Sequence, residues 1–404
     1  MHRVVITGAG VICPLGASMA EMDAALRAGR SGMRNVADLT FTDSEKINQK
    51  IIAPVSGFVP EDHFDASQLG IMETVSQYAV YAAREAISGS GLDFDEALAD
   101  ETAVIVGTGV GGQSTQEEGY RRVFIENKRP HPFSVPRMMP NAPASQISMT
   151  FGLKGPAYAV SSACASATHA IGNAFQMVRS GLARAAVTGG VEACLQYGAL
   201  RAWEALRVMA NDACRPFSLG RKGMVLGDGA AVFVLERYED AAARGAKILC
   251  EIAGTGMSAD AGDLTAPEAE GMAKAIRRAL ADAGIDSGDV DHINAHGTGT
   301  LANDRTEAAA ILNVFGDRGR KIPVSATKSM HGHALGGAGA IELAALINAL
   351  TGNYVPPTIN FVEPDPECPV DCVPNEARDH RINVALSNSF AFGGLNGVLA
   401  VRRV

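Results

Sequence analysis

The sequence has no concentrated run of basic residues. Its 404 residues include 35 Lys and Arg against 44 Asp and Glu, a formal net charge of −9 at pH 7. Nucleic-acid-binding proteins usually carry a dense patch of positive charge, so the sequence argues against nucleic acid as a partner. Hydrophobic residues make up 47% and charged residues 20% of the chain, a composition typical of a soluble globular protein.

The sequence also shows no apolar run that we judge long enough to span a membrane, and no signal peptide. Its first residues, Met1-His-Arg-Val-Val-Ile-Thr-Gly8, enter a predicted strand directly. The seven cysteines are an odd number scattered along the chain, which favours a reducing compartment over a disulfide framework. Cys368 and Cys372 are separated by Pro369 and have no second Cys or His pair nearby, so we expect no zinc site there. We expect a cytoplasmic protein without membrane association.

Two glycine-rich segments lack the residues that nucleotide binding requires. After Gly8-Ala-Gly10 the third glycine of a dinucleotide fingerprint is replaced by Cys13. The segment from Gly107 to Gly112 is not followed by the Lys-Ser/Thr of a phosphate-binding loop. We therefore expect both to be tight strand-to-loop turns where backbone closely approaches other backbone or a ligand.

Short apolar runs alternate with helical patterns, which predicts an α/β fold with central sheets. The first series of predicted strands is Arg3–Val11, Thr102–Gly107, Ala157–Ser162, Ala185–Gly189 and Ala230–Leu235, with helices at Met19–Ala28, Met72–Ser88 and Ala165–Ser180. The second series is Ile248–Gly254, Asp291–Ala295, Ile322–Ala326, Asn383–Asn388 and Gly397–Val401, with helices at Ala269–Ala283, Thr306–Phe315 and Gly339–Leu350. The similarity of the two series indicates a duplication, with one half at 1–247 and the other at 248–404.

A cysteine follows one of these strands in the segment Val160-Ser-Ser-Ala-Cys164-Ala-Ser. A thiol at the N-terminus of the following helix would lie near free backbone N–H groups and the positive end of the helix dipole, which favour the thiolate and can bind an oxyanion. Cys164 is therefore a candidate nucleophile for acyl chemistry. The alternative is that Cys164 is a small buried hydrophobic residue.

Similar strand ends in the second half deliver His296, Lys328 and His333. The segment Pro323-Val-Ser-Ala-Thr-Lys328 can be aligned with Ala159-Val-Ser-Ser-Ala-Cys164, which places a lysine and a cysteine at equivalent elbows facing one cleft. Metal binding is the rival interpretation of the histidines. No carboxylate or thiol falls at ligand spacing beside them, so a nucleophile with electrophilic assistance is the simpler hypothesis.

Seven motifs in fixed order resemble the elongating β-ketoacyl-acyl-carrier-protein synthases, in particular synthase II, over the whole chain. They are Val4-Val-Ile-Thr-Gly-Ala-Gly-Val11, Ser162-Ala-Cys-Ala-Ser166, Val225-Leu-Gly-Asp-Gly-Ala-Ala231, Asn294-Ala-His-Gly-Thr-Gly-Thr300, Thr327-Lys-Ser-Met-His-Gly-His333, Val355-Pro-Pro-Thr-Ile-Asn360 and Asn388-Ser-Phe-Ala-Phe-Gly-Gly-Leu-Asn396. The resemblance implies a thiolase-like fold: two βαβαβαββ halves in a five-layer α-β-α-β-α sandwich, usually as a homodimer. It also implies decarboxylative Claisen condensation of an acyl group with malonyl-acyl carrier protein, in fatty acid or related lipid or polyketide synthesis.

The resemblance further implies the roles of individual residues. Cys164 would be the acylated nucleophile, and His296 and His333 would act on the malonyl unit. Lys328 and Glu307 match the family's lysine and acidic residue of the catalytic set, and Glu342 matches an acidic residue on the next helix. We expect Lys328 and Glu307 to form a buried ion pair that either orients the histidines or is purely structural. His331 stands where synthase II commonly has threonine and is not expected to be catalytic.

Binding roles follow from the same resemblance. Backbone N–H groups of Cys164 and Phe392 would form the oxyanion hole, and the Phe392 side chain would gate the acyl and malonyl pockets. Thr298, Thr300 and Thr265 would bind pantetheine, and Val110 would line the acyl pocket. No metal and no cofactor are expected, because the substrates are carried on the phosphopantetheine of acyl carrier protein.

Departures from the synthase II pattern bear on partners. The segment Leu301-Ala-Asn-Asp-Arg-Thr-Glu307 is closer to nodulation-type and type II polyketide ketosynthases, and Gln68–Met72 is uncharged where synthase II is basic. A dedicated carrier protein and a heterodimer with a second ketosynthase-like subunit are therefore open. Arg121, Arg122, Lys128 and Arg129 are either a docking patch for that carrier or a solvated face. Two further alternatives are a non-condensing chain-length factor, which would lack Cys164, and a thiolase acting on coenzyme A esters.

Overall fold

The computed structural model describes residues 1–39 and 43–404. The strands are β1 (Val4–Ile12), β2 (Arg34–Asn35), β3 (Ile51–Ile52), β4 (Thr102–Gly107), β5 (Ala157–Val160), β6 (Ala185–Glu192), β7 (Gly229–Arg237), β8 (Cys250–Ala259), β9 (His292–Asn294), β10 (Val324–Ser325), β11 (Tyr354–Val355), β12 (Arg378–Asp379), β13 (Val384–Ala391) and β14 (Leu395–Arg402). The α-helices are α1 (Met19–Arg27), α2 (Ala66–Ile71), α3 (Thr74–Ser90), α4 (Glu96–Asp100), α5 (Gln113–Tyr120), α6 (Ser134–Met138), α7 (Ala142–Phe151), α8 (Ser166–Ser180), α9 (Tyr197–Leu206), α10 (Tyr238–Ala243), α11 (Ala269–Ala283), α12 (Leu301–Phe315), α13 (Lys328–His331) and α14 (Ala338–Gly352).

The two halves of the chain repeat one topology. In the first half the strand order is β1-β7-β6-β4-β5, and in the second it is β8-β14-β13-β9-β10. In each half the first two pairings of that order are antiparallel and the last two are parallel. With the intervening helices, both halves read βαβαβαββ, so the duplication inferred from the sequence is confirmed.

The helices arrange the sheet into layers. Helices α8 and α14 contact each other and strands of both halves, so they form the middle layer, while α3 and α7 cover the first half and α11 and α12 the second. The predicted five-layer fold is therefore confirmed. Three antiparallel residue pairs between β1 and β8, Val4–Ile6 with Ile252–Cys250, join the two halves into one ten-stranded sheet. The boundary between 247 and 248 falls between α10 and β8 and remains a prediction.

Helix α14 lies in the core although its sequence has a membrane-like character. The helical stretch Leu335–Gly352 has a mean hydropathy of 1.3 over 18 residues, yet 89% of it is buried inside the protein. Our expectation that no apolar stretch reaches spanning length was therefore wrong. An apolar helix enclosed by two sheets meets the same length and composition test as a membrane span.

Glycines let the outer helices approach the strands at equivalent places in both halves. A Cβ on Gly10 of β1 would lie 2.1 Å from the carbonyl oxygen of Ala82 in α3, and a Cβ on Gly256 of β8 would lie 2.0 Å from that of Ala275 in α11. Gly10 therefore serves close strand–helix packing. The predicted close backbone approach is confirmed, but it occurs inside a strand and not in a turn.

The stability of the fold is expected to depend on these contacts. Gly10→Ala should lower the free energy of unfolding by about 1–3 kcal/mol, because the new methyl group overlaps the backbone of α3. Chemical denaturation followed by circular dichroism measures the change. Gly89→Ala, in helix α3 against which Gly10 packs, is the control. A Cβ on Gly89 meets no atom within 4 Å, so this change should leave the free energy of unfolding unchanged or raise it by up to about 1 kcal/mol. Equal stability of the two variants would contradict the close-packing account.

Candidate active site

Cys164 lies at a sharp elbow between β5 and α8. The strand ends at Val160 and the helix begins at Ser166. Between them, Ala163 has a left-handed backbone with φ of 49°, an uncommon conformation for a residue with a Cβ. The Ala165 N–H donates to the Ser162 carbonyl at 3.1 Å. The elbow holds the thiol just before the helix N-terminus, as the sequence predicted.

The equivalent elbow after β10 carries Lys328, the first residue of α13. Its ammonium is fully buried and forms an ion pair with Glu342. It also donates to the carbonyl oxygen of His296 at 2.7 Å and lies 3.3 Å from Nδ1 of the same histidine. The predicted ion pair between Lys328 and Glu307 is therefore wrong, because the partner of the lysine is Glu342 on α14.

Glu307 instead shapes the histidine loop. Its carboxylate accepts the backbone N–H groups of His296 and Gly297, each at 2.8 Å, and the Asn388 side-chain amide at 3.2 Å. Thr300 caps α12 by accepting the Asn303 N–H, so the helix starts at Leu301 and not at Thr306 as predicted. This earlier start places Glu307 in the second turn, facing the loop.

The two histidines face each other beside the thiol. The ring centroids of His296 and His333 are 5.3 Å apart and the rings are nearly perpendicular, at 83°. Nε2 of His333 lies 3.1 Å from Sγ of Cys164. Burial first, and then the Lys328 charge, lower the pKa of both imidazoles well below the ordinary value, so both rings are neutral at physiological pH.

Lys328 also selects the tautomer of His296. An ammonium beside Nδ1 can only donate, so Nδ1 is the acceptor and the proton is on Nε2. Within the described part of the chain, Nδ1 of His333 has no hydrogen-bond partner, so either nitrogen of that ring can carry the proton. His331 is different, because its Nδ1 bonds the Gly332 carbonyl and its Nε2 bonds the Thr327 hydroxyl. Its bonding is complete without a substrate.

The resting form of Cys164 differs from our expectation. Burial raises the pKa of the thiol to about 11, and the Lys328 charge and backbone N–H groups of Phe392 and Cys164 only partly oppose this. The predicted resting thiolate is therefore wrong, because desolvation outweighs the helix terminus. These two N–H groups are the expected oxyanion donors, and both lower the pKa of the Cys164 thiol.

A cavity of about 660 Å³, including its open mouth, leads to the thiol. Its wall contains the expected pantetheine contacts Thr298, Thr300 and Thr265, the histidine pair and Phe392. Further lining residues that sequence reasoning missed are Trp203, Val208, Met224, Leu264, Pro267, Ala302, Asn303 and Phe390. Trp203 is the single tryptophan of the chain, and that rarity was the one feature of the sequence that could have drawn attention to these lining residues. Val110 is not part of this wall as described, and 41% of its surface is exposed.

One group of side chains in the described part of the chain could hold a metal ion. The ligand atoms of Cys164, His296 and His333 all lie within 4.8 Å of one another, a donor set that suits zinc.

Comparison with known proteins shows the family of the chain that carries this site. Residues 1–241 match the family model of the β-ketoacyl synthase N-terminal domain, and residues 249–362 match that of the C-terminal domain. The chain belongs to the β-ketoacyl synthase family. It is therefore a condensing acyltransferase of the type that the sequence motifs predicted.

Individual relatives cover the whole chain. It is 47% identical over 404 residues to nodulation protein E of Rhizobium sp. (strain N33), with 100% of both chains covered. It is 42% identical over 410 residues to 3-oxoacyl-acyl-carrier-protein synthase 2 of Staphylococcus aureus (strain COL), covering 99% of this chain and 98% of the relative. Among solved structures, the ishigamide ketosynthase/chain length factor superposes with a TM-score of 0.94 at 37% identity, covering 100% of this chain and 99% of the other. These relatives support carrier-protein-dependent condensation as the reaction of this ketosynthase.

The raised pKa of the Cys164 thiol predicts how its rate of alkylation depends on pH. Because the pKa of Cys164 is raised to about 11, the alkylation rate of this residue by iodoacetamide should still be rising at pH 9. Peptide mapping by mass spectrometry measures the rate at Cys164 separately from the other cysteines. Lys328→Met should raise the pKa further, since the lysine charge lowers it. A plateau near pH 7 would contradict the dominance of burial.

Proposed function

We propose that the protein is an elongating 3-oxoacyl-acyl-carrier-protein synthase that condenses an acyl group on Cys164 with a malonyl group on acyl carrier protein. The observation that carries this proposal is the approach of Cys164 Sγ to His333 Nε2, at 3.1 Å, with a second neutral histidine facing them at the end of a cavity. A nucleophile, a proton acceptor and electrophilic donors are thus in one place.

In the first half-reaction the thiol attacks an acyl thioester on the carrier. Since the thiol is protonated at rest, His333 Nε2 takes its proton as the sulfur–carbon bond forms. Backbone N–H groups of Cys164 and Phe392 stabilise the oxyanion. The carrier thiolate leaves and takes the proton from His333, so the acyl group is transferred and the imidazole is neutral again.

In the second half-reaction malonyl-carrier protein loses carbon dioxide and leaves an enolate. Nε2–H of His296 donates to the thioester oxygen, and Lys328 keeps that proton on Nε2. His333 supplies the second donor when its proton is on Nε2. The enolate carbon then attacks the acyl carbon, the bond between that carbon and the Cys164 sulfur breaks, and the released thiolate takes one proton from water. The product is a β-ketoacyl group two carbons longer.

The proposal includes no cofactor and no resident metal, because the acyl and malonyl groups arrive on phosphopantetheine. Among the alternatives, a chain-length factor is disfavoured by the presence of Cys164 in a complete set with His296 and His333. A coenzyme A thiolase would carry a second catalytic cysteine near the C-terminus, where this chain has Ser389 and Phe390. Reaction in the cytoplasm is part of the proposal.

The charge of the two segments considered for docking supports a dedicated carrier protein as partner. Arg121 pairs with Asp43 at 2.6 Å, and Lys128 pairs with Glu126 at 2.9 Å. Helix α2, in place of the basic segment of synthase II, has no basic residue. The basic residues that we considered for docking are therefore partly neutralised within the chain. A carrier less acidic than a general fatty-acid carrier fits this surface better.

A second copy or a second ketosynthase-like subunit is the proposed partner at the outer edge of the first half. Strand β5 is an edge strand with exposed residues. Large exposed apolar side chains lie in the segment between β4 and β5: Tyr120, Phe124, Ile125, Phe133, Val135, Met139 and Met149. Such a concentration is typical of a subunit interface. The ishigamide relative is a ketosynthase/chain length factor, which supports the heterodimer.

The two histidines are expected to differ when removed singly. His296→Ala should slow malonyl decarboxylation about 10²–10³-fold, the usual loss for one donor, while Cys164 is still acylated. His333→Ala should slow both steps, because it also accepts the thiol proton, by about 10²–10⁴-fold for acylation. Intact-mass analysis measures the acyl-enzyme, and a separate assay measures carbon dioxide release, so the two steps are followed independently.

His331→Thr is the matched control, because His331 lies in the same loop and bonds only the protein. It should retain both steps. Acylation that persists in Cys164→Ala would contradict the proposed nucleophile, and His331→Thr as damaging as His333→Ala would contradict the assignment of the loop.

The carrier proposal predicts a shallow salt dependence. With a general fatty-acid carrier, acylation of Cys164 should be slow and should change less than about threefold between roughly 0.05 and 0.5 M salt, because charge steering is weak. A carrier encoded beside this gene should acylate faster. Arg121→Ala is the internal test, since its charge is paired with Asp43 and its loss should matter little with the general carrier. Fast, steeply salt-sensitive acylation by the general carrier would show a housekeeping fatty-acid role instead.

A further inference from the structure

The single tryptophan of the chain stacks on Phe392. Trp203 lies on α9 and lines the same cavity as Cys164. Its ring centroid is 6.0 Å from that of Phe392, with only 21° between the ring planes. This is the geometry of an offset-stacked aromatic pair. Neither the sequence motifs nor the proposed chemistry gives Trp203 a role.

Contacts of helix α9 with the rest of the protein fix the position of Trp203. The tryptophan packs against the buried cluster that contains Leu200 and Met224. The neighbouring Glu204 accepts the backbone N–H groups of Asn48 and Gln49, at 2.6 and 2.7 Å. Trp203 is therefore a fixed surface for the Phe392 ring.

The segment that carries Phe392 has room to move on one side. Gly393 and Gly394 follow it with φ of 80° and 67°, and a Cβ on Gly393 would meet nothing closer than the Leu395 side chain, at 4.0 Å. The Gly393 N–H donates to the Leu264 carbonyl at 2.8 Å. Gly393 therefore gives a point at which the ring can swing. Gly394 anchors the backbone after it, because its carbonyl accepts the Asp260 N–H at 3.0 Å and an added Cβ would lie 2.5 Å from Asp260 Cβ.

The Phe392 residue also contributes its N–H to the sulfur of Cys164. In the proposed reaction the oxygen of an acyl thioester on Cys164 accepts this N–H. Acylation therefore changes the contacts of the residue whose ring stacks on Trp203. A ring that leaves Trp203 only after acylation would admit malonyl to His296 and His333 only when an acyl acceptor is ready.

We propose that Trp203 is a positioning residue that holds Phe392 closed by stacking and so couples malonyl decarboxylation to prior acylation of Cys164. The inference rests on the proposed function. A stacked aromatic pair shifts a two-state equilibrium about two- to tenfold. Loss of Trp203 should raise the open fraction by that factor and allow malonyl to be decarboxylated without condensation.

The first test uses the intrinsic fluorescence of the wild-type protein, which reports only Trp203. Acylation of Cys164 by an acyl-carrier protein should change its emission, because the ring of Phe392 moves away. The same acyl-carrier protein added to Cys164→Ala should leave the emission unchanged. Unchanged emission of the wild-type enzyme at full acylation, verified by intact mass, would overturn the proposal.

The second test measures coupling in variants. Trp203→Leu should raise the ratio of carbon dioxide released to β-ketoacyl product about two- to tenfold over wild type, and Trp203→Phe, which keeps a ring, should fall between them. Leu206→Ala is the matched control on the same helix, because Leu206 is 50% exposed and is not part of the described cavity wall. Its ratio should equal that of wild type.

The outcomes distinguish the inference from the function on which it rests. If the wild-type enzyme forms no β-ketoacyl product, the proposed function fails. If wild type condenses and Trp203→Leu lowers the overall rate with an unchanged ratio, Trp203 is only structural and the inference alone fails. If Trp203→Leu does not fold, the fluorescence test and Trp203→Phe still decide.

Discussion

The active site depends on one buried positive charge. Lys328 is fully enclosed by the protein, and its ammonium makes an ion pair with Glu342 and contacts both the carbonyl and the ring of His296. A buried ammonium is costly unless its donors are all used, and here the partners of the charge are themselves parts of the site. Burial first, and then this charge, keep His296 neutral. The charge also fixes the tautomer of His296 and lowers the pKa of the Cys164 thiol against burial. One side chain therefore prepares both the donor of the second step and the nucleophile of the first.

The sequence predicted the elbows because their signal is local. An apolar strand followed by small residues and a helical pattern is sufficient to place Cys164 and Lys328, and the repeat of the pattern predicted the duplication. The five-layer arrangement and the family came from motifs in a fixed order. The structure adds that the two elbows end the outermost strands of equivalent half-sheets, β5 and β10.

The pairing of charges could not be predicted in the same way. Glu307 and Glu342 lie on different helices, and which one meets Lys328 depends on where α12 begins. Thr300 sets that start through its cap, and a helix pattern alone places it five residues too late. The resting thiol also differed from the prediction, because the sequence shows a helix terminus but not the extent of burial. Trp203 was missed because its importance arises from contact with Phe392, which lies far away in the chain.

The pairing of β1 with β8 has a consequence for how the chain acquires its structure. The first half leaves the ribosome with an unpaired edge at β1 and with the apolar face of α8 uncovered, since α14 and β8 follow only later in the chain. Contacts of such long sequence separation form late and slowly. The nascent first half therefore exposes this strand edge and this apolar helix face until its own second half has been made.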